Sequence, residues 1–151
     1  MKGENGLKGR LAVKPKPNLL VAARPIVAAA LRGALGDSVR ITSVSTLGDA
    51  VKHLQRQTDV AMILCTVYFD ESQMFDLMRV ARKEYPGIPF VCCRFMEGDL
   101  ARISVDALVI AAKTLGAAAF VDMPGLAAEF GRGAANQQFQ RQVFAHLPAR
   151  I

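Results

Sequence analysis

The stretch Val60-Ala61-Met62-Ile63-Leu64 is apolar without a break. It is entered from Asp59 and gives way within a few positions to the loop Tyr68–Ser72. An unbroken apolar run of strand length reads as a strand buried on both faces. Such a strand needs a layer of structure above it and another below. In open parallel α/β sheets, chemistry gathers where the strands end at their carboxyl termini. Cys65, Thr66 and the loop Tyr68–Ser72 therefore mark the place where function is expected.

The rest of the chain repeats a strand–helix rhythm. Asn18–Ala23 reads as a first buried strand, broken by Arg24-Pro25. A helix follows, with Ile26, Val27, Ala30, Leu31, Ala34 and Leu35 at helical spacing and Gly36-Asp37 closing it. Val39–Val44 is half polar, as a strand near a sheet edge is. Ser45 or Thr46 then caps a helix running to about Arg56, with Asp49 in its first turn. After the central strand, Met74, Phe75, Leu77, Met78 and Ala81 trace a third helix, capped by Ser72 and ending before Pro86-Gly87. Ile88–Arg94 is the fourth strand. Glu97-Gly98-Asp99 caps a fourth helix ending at Leu115-Gly116. Ala117–Val121 is the fifth strand. A last helical region spans about Leu126 to Leu147, with Gly131 and Gly133 as candidate breaks. Five such units predict an α/β fold with a five-stranded parallel sheet, doubly wound in the order 2-1-3-4-5, with helices on both faces.

Composition narrows the function classes. The chain has 151 residues, 52% of them hydrophobic and 21% charged, which suits one domain with a substantial core. No apolar run approaches the ~20 residues of a membrane helix. The N-terminus lacks a signal-peptide core, so a cytoplasmic protein with no membrane partner is expected. Cys65, Cys92 and Cys93 stand in strand-like contexts and read as buried reduced thiols; Cys92 and Cys93 are adjacent and point to opposite faces. With no C-x-x-C pair and with His53 and His146 isolated, no metal site and no cofactor are predicted. Of the net charge of +6, Lys2, Lys8, Arg10, Lys14 and Lys16 against Glu4 give +4 to residues 1–17, leaving +2 for the rest. Residues 1–17 read as a flexible basic leader ahead of a single domain over residues 18–151.

Several local patterns in order resemble the response-regulator receiver family. They are Val21-Ala22-Ala23-Arg24-Pro25, Asp59-Val60-Ala61, Phe75-Asp76-Leu77-Met78-Arg79, Ile88-Pro89-Phe90-Val91, Leu115-Gly116-Ala117 and Phe120-Val121-Asp122-Met123-Pro124. The resemblance covers about Asn18 to Leu147. It implies a flavodoxin-like fold whose chemistry uses two acidic residues after the first strand to hold Mg²⁺. An aspartate after the third strand accepts the phosphoryl group, and a hydroxyl residue and a lysine after the fourth and fifth strands contact it. Hard cations need carboxylate oxygens, and a transferring phosphoryl group needs positive charge around it. This sequence departs at every one of these positions. The acidic pair falls on Ala22 and Ala23, the acceptor on Cys65 or Thr66, the hydroxyl on Arg94 and the lysine on Met123. The chain thus resembles a degenerate, or pseudo-, receiver, which implies a non-enzymatic interaction module of bacterial-type signalling.

Other residues carry open readings. Arg94 can pair with Asp70 or Asp122, face solvent, or take an anion. Cys65 becomes a reactive thiol if Arg94 lowers its pKa. Tyr68, Phe69 and Phe95 either cap the core or form an aromatic partner surface. The resemblance implies a cis bond at Met123-Pro124. It also implies a protein partner or homodimer face on the fourth helix, fifth strand and fifth helix, through Val105, Val109, Phe139 and Val143, although ordinary core packing must claim most of the apolar residues there. The competing readings are a nucleic-acid-associated protein using the basic leader, and a small anion- or ligand-binding flavodoxin-like domain. The leader lacks aromatics that stack on bases, and Ala22-Ala23-Arg24-Pro25 is no phosphate loop.

Overall fold

Residues 15–95 and 102–148 are described by a computed structural model of the chain. The order of elements is β1 (Asn18–Ala22), α1 (Pro25–Leu35), β2 (Arg40–Val44), α2 (Leu47–Arg56), β3 (Val60–Thr66), α3 (Met74–Glu84), β4 (Phe90–Arg94), α4 (Arg102–Thr114), β5 (Ala119–Asp122), α5 (Met123–Phe130) and α6 (Arg132–Phe144). The strands form one parallel sheet in the order β2-β1-β3-β4-β5, as the strand–helix rhythm predicts.

Alternation along the central strands divides the core in two. Leu19, Val21, Met62, Leu64, Val91, Cys93 and Val121 point to one face. There they join Val27, Leu31 and Leu35 of α1, Leu126 of α5 and Phe139 and Val143 of α6. Leu20, Ala22, Ile63, Cys65, Phe90 and Cys92 point to the other, against Ala50 and Leu54 of α2, Met74, Leu77 and Met78 of α3, and Ala112 of α4. The two adjacent cysteines therefore do serve opposite layers, and all three cysteines are buried. β2 is an edge strand and mostly exposed, which explains its polar alternation.

Boundaries shift for local reasons. Ala117 donates its N–H to the carbonyl of Ala112 and so belongs to the turn ending α4; β5 begins two residues later than predicted. Thr46 is the N-cap of α2, its Oγ1 accepting from Asp49 N at 3.1 Å. Ser72 is not the cap of α3. Gln73 holds that position without a side-chain bond, and Ser72 has a φ of 69°. The last helical region is two helices, because Gly131 at φ 80° leaves the right-handed region while Gly133 continues α6. No peptide bond among the described residues is cis. Met123–Pro124 is trans because α5 starts at Met123, where the fixed φ of proline suits the first turn. The predicted cap Glu97-Gly98-Asp99 and residues 1–14 of the basic leader lie outside the described residues.

The Thr46 cap supplies a direct check on this layout. Thr46→Ala is expected to cost about 1 kcal/mol, lowering the melting temperature, while Thr46→Ser leaves it nearly unchanged. Thermal unfolding followed by circular dichroism measures both.

Candidate functional site

The carboxyl ends of β1, β3, β4 and β5 converge on one edge of the sheet. Register sets Ala22 beside Cys65, Cys65 beside Cys92, Thr66 beside Cys93 and Arg94 beside Asp122. The positions singled out from sequence are thus neighbours, with Ala23 and Met123 following the ends of β1 and β5. Ala22, Ala23, Cys65 and Thr66 are buried. The Thr66 hydroxyl has no hydrogen-bond partner among the described residues.

Arg94 makes a two-bonded polar contact at this edge. Its Nε donates to Asp122 Oδ1 at 2.8 Å and its Nη2 donates to Asp122 Oδ2 at 3.2 Å. The side chains are 13% and 28% exposed, so water screens the pair only in part. Parallel pairing of β4 with β5 brings the two residues level, and the loss of a Cβ at residue 125 lets the carboxylate lie where it does. A methyl on Gly125 would stand 2.7 Å from Asp122 Oδ2. Of the two acids weighed as partners for Arg94, Asp122 is the one it holds.

Asp70 is engaged elsewhere. Its Oδ2 accepts from the backbone N–H of Leu47, the first residue of α2, at 2.7 Å. Asp70, Glu71 and Ser72 have φ of 46°, 56° and 69°. Three successive non-glycine residues in the left-handed region cost roughly 1–2 kcal/mol each. They form a turn closed by Gln73 N donating to Phe69 O at 2.7 Å. Phe69 is fully buried in the same cluster as Ala22 and Cys65. Of the two readings open to Phe69 in the sequence it takes the core one, whereas the latch from Asp70 to α2 was not visible there, since the usual glycine signal for a left-handed turn is absent.

Several surface assignments fail. Tyr68, Phe69 and Phe95 do not form one aromatic patch: Phe69 is core, Tyr68 packs on its cluster, and Phe95 lies on the opposite face of the sheet. The Phe95 ring meets Phe139 edge-on at 5.3 Å. Phe139 and Val143 are fully buried, since α6 lays this stripe on the sheet; they are core rather than partner surface. Val105 is buried and Val109 half-buried, and both line an open cavity of about 710 Å³ with Asp106, Phe120, Leu126 and Glu129.

The Cys65 and Cys92 thiols are not activated. Burial, reinforced by Cys92 and Cys93, pushes the Cys65 thiol well above its ordinary range. Burial alone pushes Cys92 up to about 12. The suggestion that Arg94 lowers the Cys65 pKa is therefore overturned; Arg94 spends its charge on Asp122.

The positions that the receiver resemblance assigns to a divalent cation and the phosphoryl acceptor carry the methyl groups of Ala22 and Ala23 and a buried thiol or hydroxyl, none of them a hard anionic donor. Among the described residues no group of three or more His, Cys, Asp or Glu is arranged to hold a metal.

Solved structures of response regulators share this architecture. A response regulator from Thermotoga maritima superposes with a TM-score of 0.64 at 17% identity, over 87% of this chain and 97% of its own. The phosphorylated cyanobacterial phytochrome response regulator RcpA gives 0.66 at 10% identity, over 89% and 100%. The N-terminal signal receiver domain of a two-component response regulator from Bacteroides fragilis gives 0.65 at 15%, over 91% and 100%. The chain has the receiver fold. No protein-family model and no curated protein sequence matches it. At these identities the likeness carries the receiver fold and nothing of its chemistry.

Two measurements check this geometry. Gly125→Ala lies in a helix, where alanine ordinarily gains up to about 1 kcal/mol. Here it is expected to destabilise, by about 1 kcal/mol or more, because the methyl displaces Asp122 from Arg94. In an Asp122→Ala background the same substitution is expected to stabilise, a reversal of sign that chemical denaturation reads directly. For the thiols, the folded state holds the Cys92 proton more tightly than the unfolded state, whose thiol titrates near 9.0. That contribution is complete below pH 9 and is lost as pH rises toward 12. Unfolding free energy is expected to fall over this range, less steeply in Cys92→Ala.

Proposed function

We propose that this receiver-fold protein is a pseudo-receiver: a signalling module that works by protein contact and takes no phosphoryl group. One observation carries the reading. The edge of the sheet where a receiver would bind Mg²⁺ and phosphate carries Ala22, Ala23, Cys65 and Thr66, all buried, and Arg94 beside them is closed on Asp122. A carboxylate acceptor is the chemical requirement for an acyl phosphate, and neither Cys65 nor Thr66 supplies it. The module has no reaction of its own in this reading.

The partner face of the reading lies on α4, β5 and α5. It is supported by large apolar side chains left in water, Ile110 of α4 at 66% and Phe130 of α5 at 43% exposure, on the two helices that also contribute Val109 and Glu129 to the wall of the cavity. A protein partner or a second copy of the chain docks there, in the cytoplasm of the cell. The nucleic-acid alternative rests on the basic leader, of which residues 1–14 lie outside the described residues. The anion-binding alternative needs an Arg94 that Asp122 does not already hold.

Incubation of the full chain with acetyl phosphate, or with beryllofluoride and Mg²⁺, tests the reading. Mass spectrometry is expected to find no phosphoryl adduct, and amide spectra are expected to show no shift at Cys65, Thr66 or Arg94. An adduct on this edge, or a saturable beryllofluoride shift there, overturns it.

A further inference from the structure

The loop between β3 and α3 combines three features that no packing requirement explains separately. Phe69 is fully buried in the cluster containing Ala22, Cys65 and Cys92. The next residue, Asp70, reaches across to another element and accepts from Leu47 N at 2.7 Å. Asp70, Glu71 and Ser72 stand together in the left-handed region, at φ of 46°, 56° and 69°. L-residues hold such a conformation only where surrounding contacts over-determine it. Here those contacts are the buried ring on one side and the carboxylate on the helix terminus on the other.

We propose that residues 67–73 form a spring-loaded strap across the carboxyl ends of β1 and β3. Phe69 is its plug, Asp70 its latch on α2, and the left-handed residues 70–72 its spring. The strap also carries one wall of a second cavity, about 490 Å³, in which Val67, Tyr68 and Ser72 face Phe75 of α3 and Ser104, Ala107, Leu108 and Ala111 of α4. Unlatching lets residues 70–72 return to right-handed or extended conformations. That movement carries Tyr68 and Ser72 with it and reshapes the surface shared with α4. A two-position element of this kind converts any contact that distinguishes its positions into a change of state. The strap depends only on its own geometry and not on the pseudo-receiver reading.

The Leu47 amide is the natural reporter, because its bond to Asp70 is the latch itself. In the full chain, Asp70→Ala is expected to speed hydrogen exchange at Leu47 about tenfold or more, the loss of a hydrogen bond to a charged group. Exchange at Asp49, which is held by Thr46, is expected to stay unchanged. Asp70→Asn keeps an acceptor oxygen and is expected to restore most of the protection. Glu71→Gly relaxes the spring, so it is expected to raise the melting temperature of the wild-type chain. In the Asp70→Ala background, where the turn has already unwound, it is expected to bring no gain. Equal gains in both backgrounds, or a Leu47 amide indifferent to Asp70→Ala, overturn the proposal. Neither result touches the phosphorylation test above, so the two readings fail separately.

Discussion

Burial of β3 on both faces is the constraint from which the rest of the structure follows. Every residue from Met62 to Cys65 is fully enclosed, so the strand must be central, and helices must cover it above and below. Its neighbours β1 and β4 inherit the same condition, which is why Leu20, Val21, Phe90 and Val91 are equally enclosed. The twofold alternation of side chains then assigns each residue to one of two cores. A sheet built in this way ends all its strands along one edge, and what stands there depends on a handful of residues.

In this chain that edge is closed by packing and by one ion pair. Small side chains at Ala22, Ala23 and Cys65 leave no charge to be solvated, and Phe69 takes its place in the cluster of Ala22 and Cys65. A buried anion without a partner would cost several kcal/mol, so an apolar end of the sheet is stable in the absence of a cation. Arg94 is the exception that charge balance allows. Its two bonds to Asp122, and the missing side chain at Gly125 that makes room for them, keep the guanidinium beside the site and occupied. The same edge then has two fastenings, the Arg94–Asp122 pair joining β4 to β5 and the Asp70–Leu47 bond joining the β3 loop to α2.

Much of this was legible in the sequence because it depends on periodicity. Continuous apolar runs gave the inner strands, 3.6-residue spacing gave the helices, and five alternations in order gave the strand order. The pairing of Arg94 with Asp122 was accessible as one of two options, since both follow strand ends. Three things were not legible. The left-handed turn at Asp70-Glu71-Ser72 contains no glycine and so carries no local signal. The burial of Phe69, Phe139 and Val143 depends on how a loop and a helix lie on the sheet, which spacing alone does not give. Tyr68 and Phe95 would stand level if the pairing of Thr66 with Cys93 ran on, yet they belong to opposite layers, because the chain has left strand geometry for a turn by Tyr68. The cis bond implied at Met123-Pro124 gave way to a helix beginning at that point, where proline in the trans form serves the first turn.

A sheet edge formed by Ala22, Ala23, Cys65 and Thr66 is expected to have no affinity for a divalent cation. Titration of the full chain with Mn²⁺, followed through paramagnetic broadening of its amide resonances, tests that claim most directly. The claim requires the amides of these four residues to keep their line widths at concentrations where only scattered surface carboxylates broaden. Saturable broadening centred on Ala22, Ala23 and Thr66 at low Mn²⁺ concentration would contradict it.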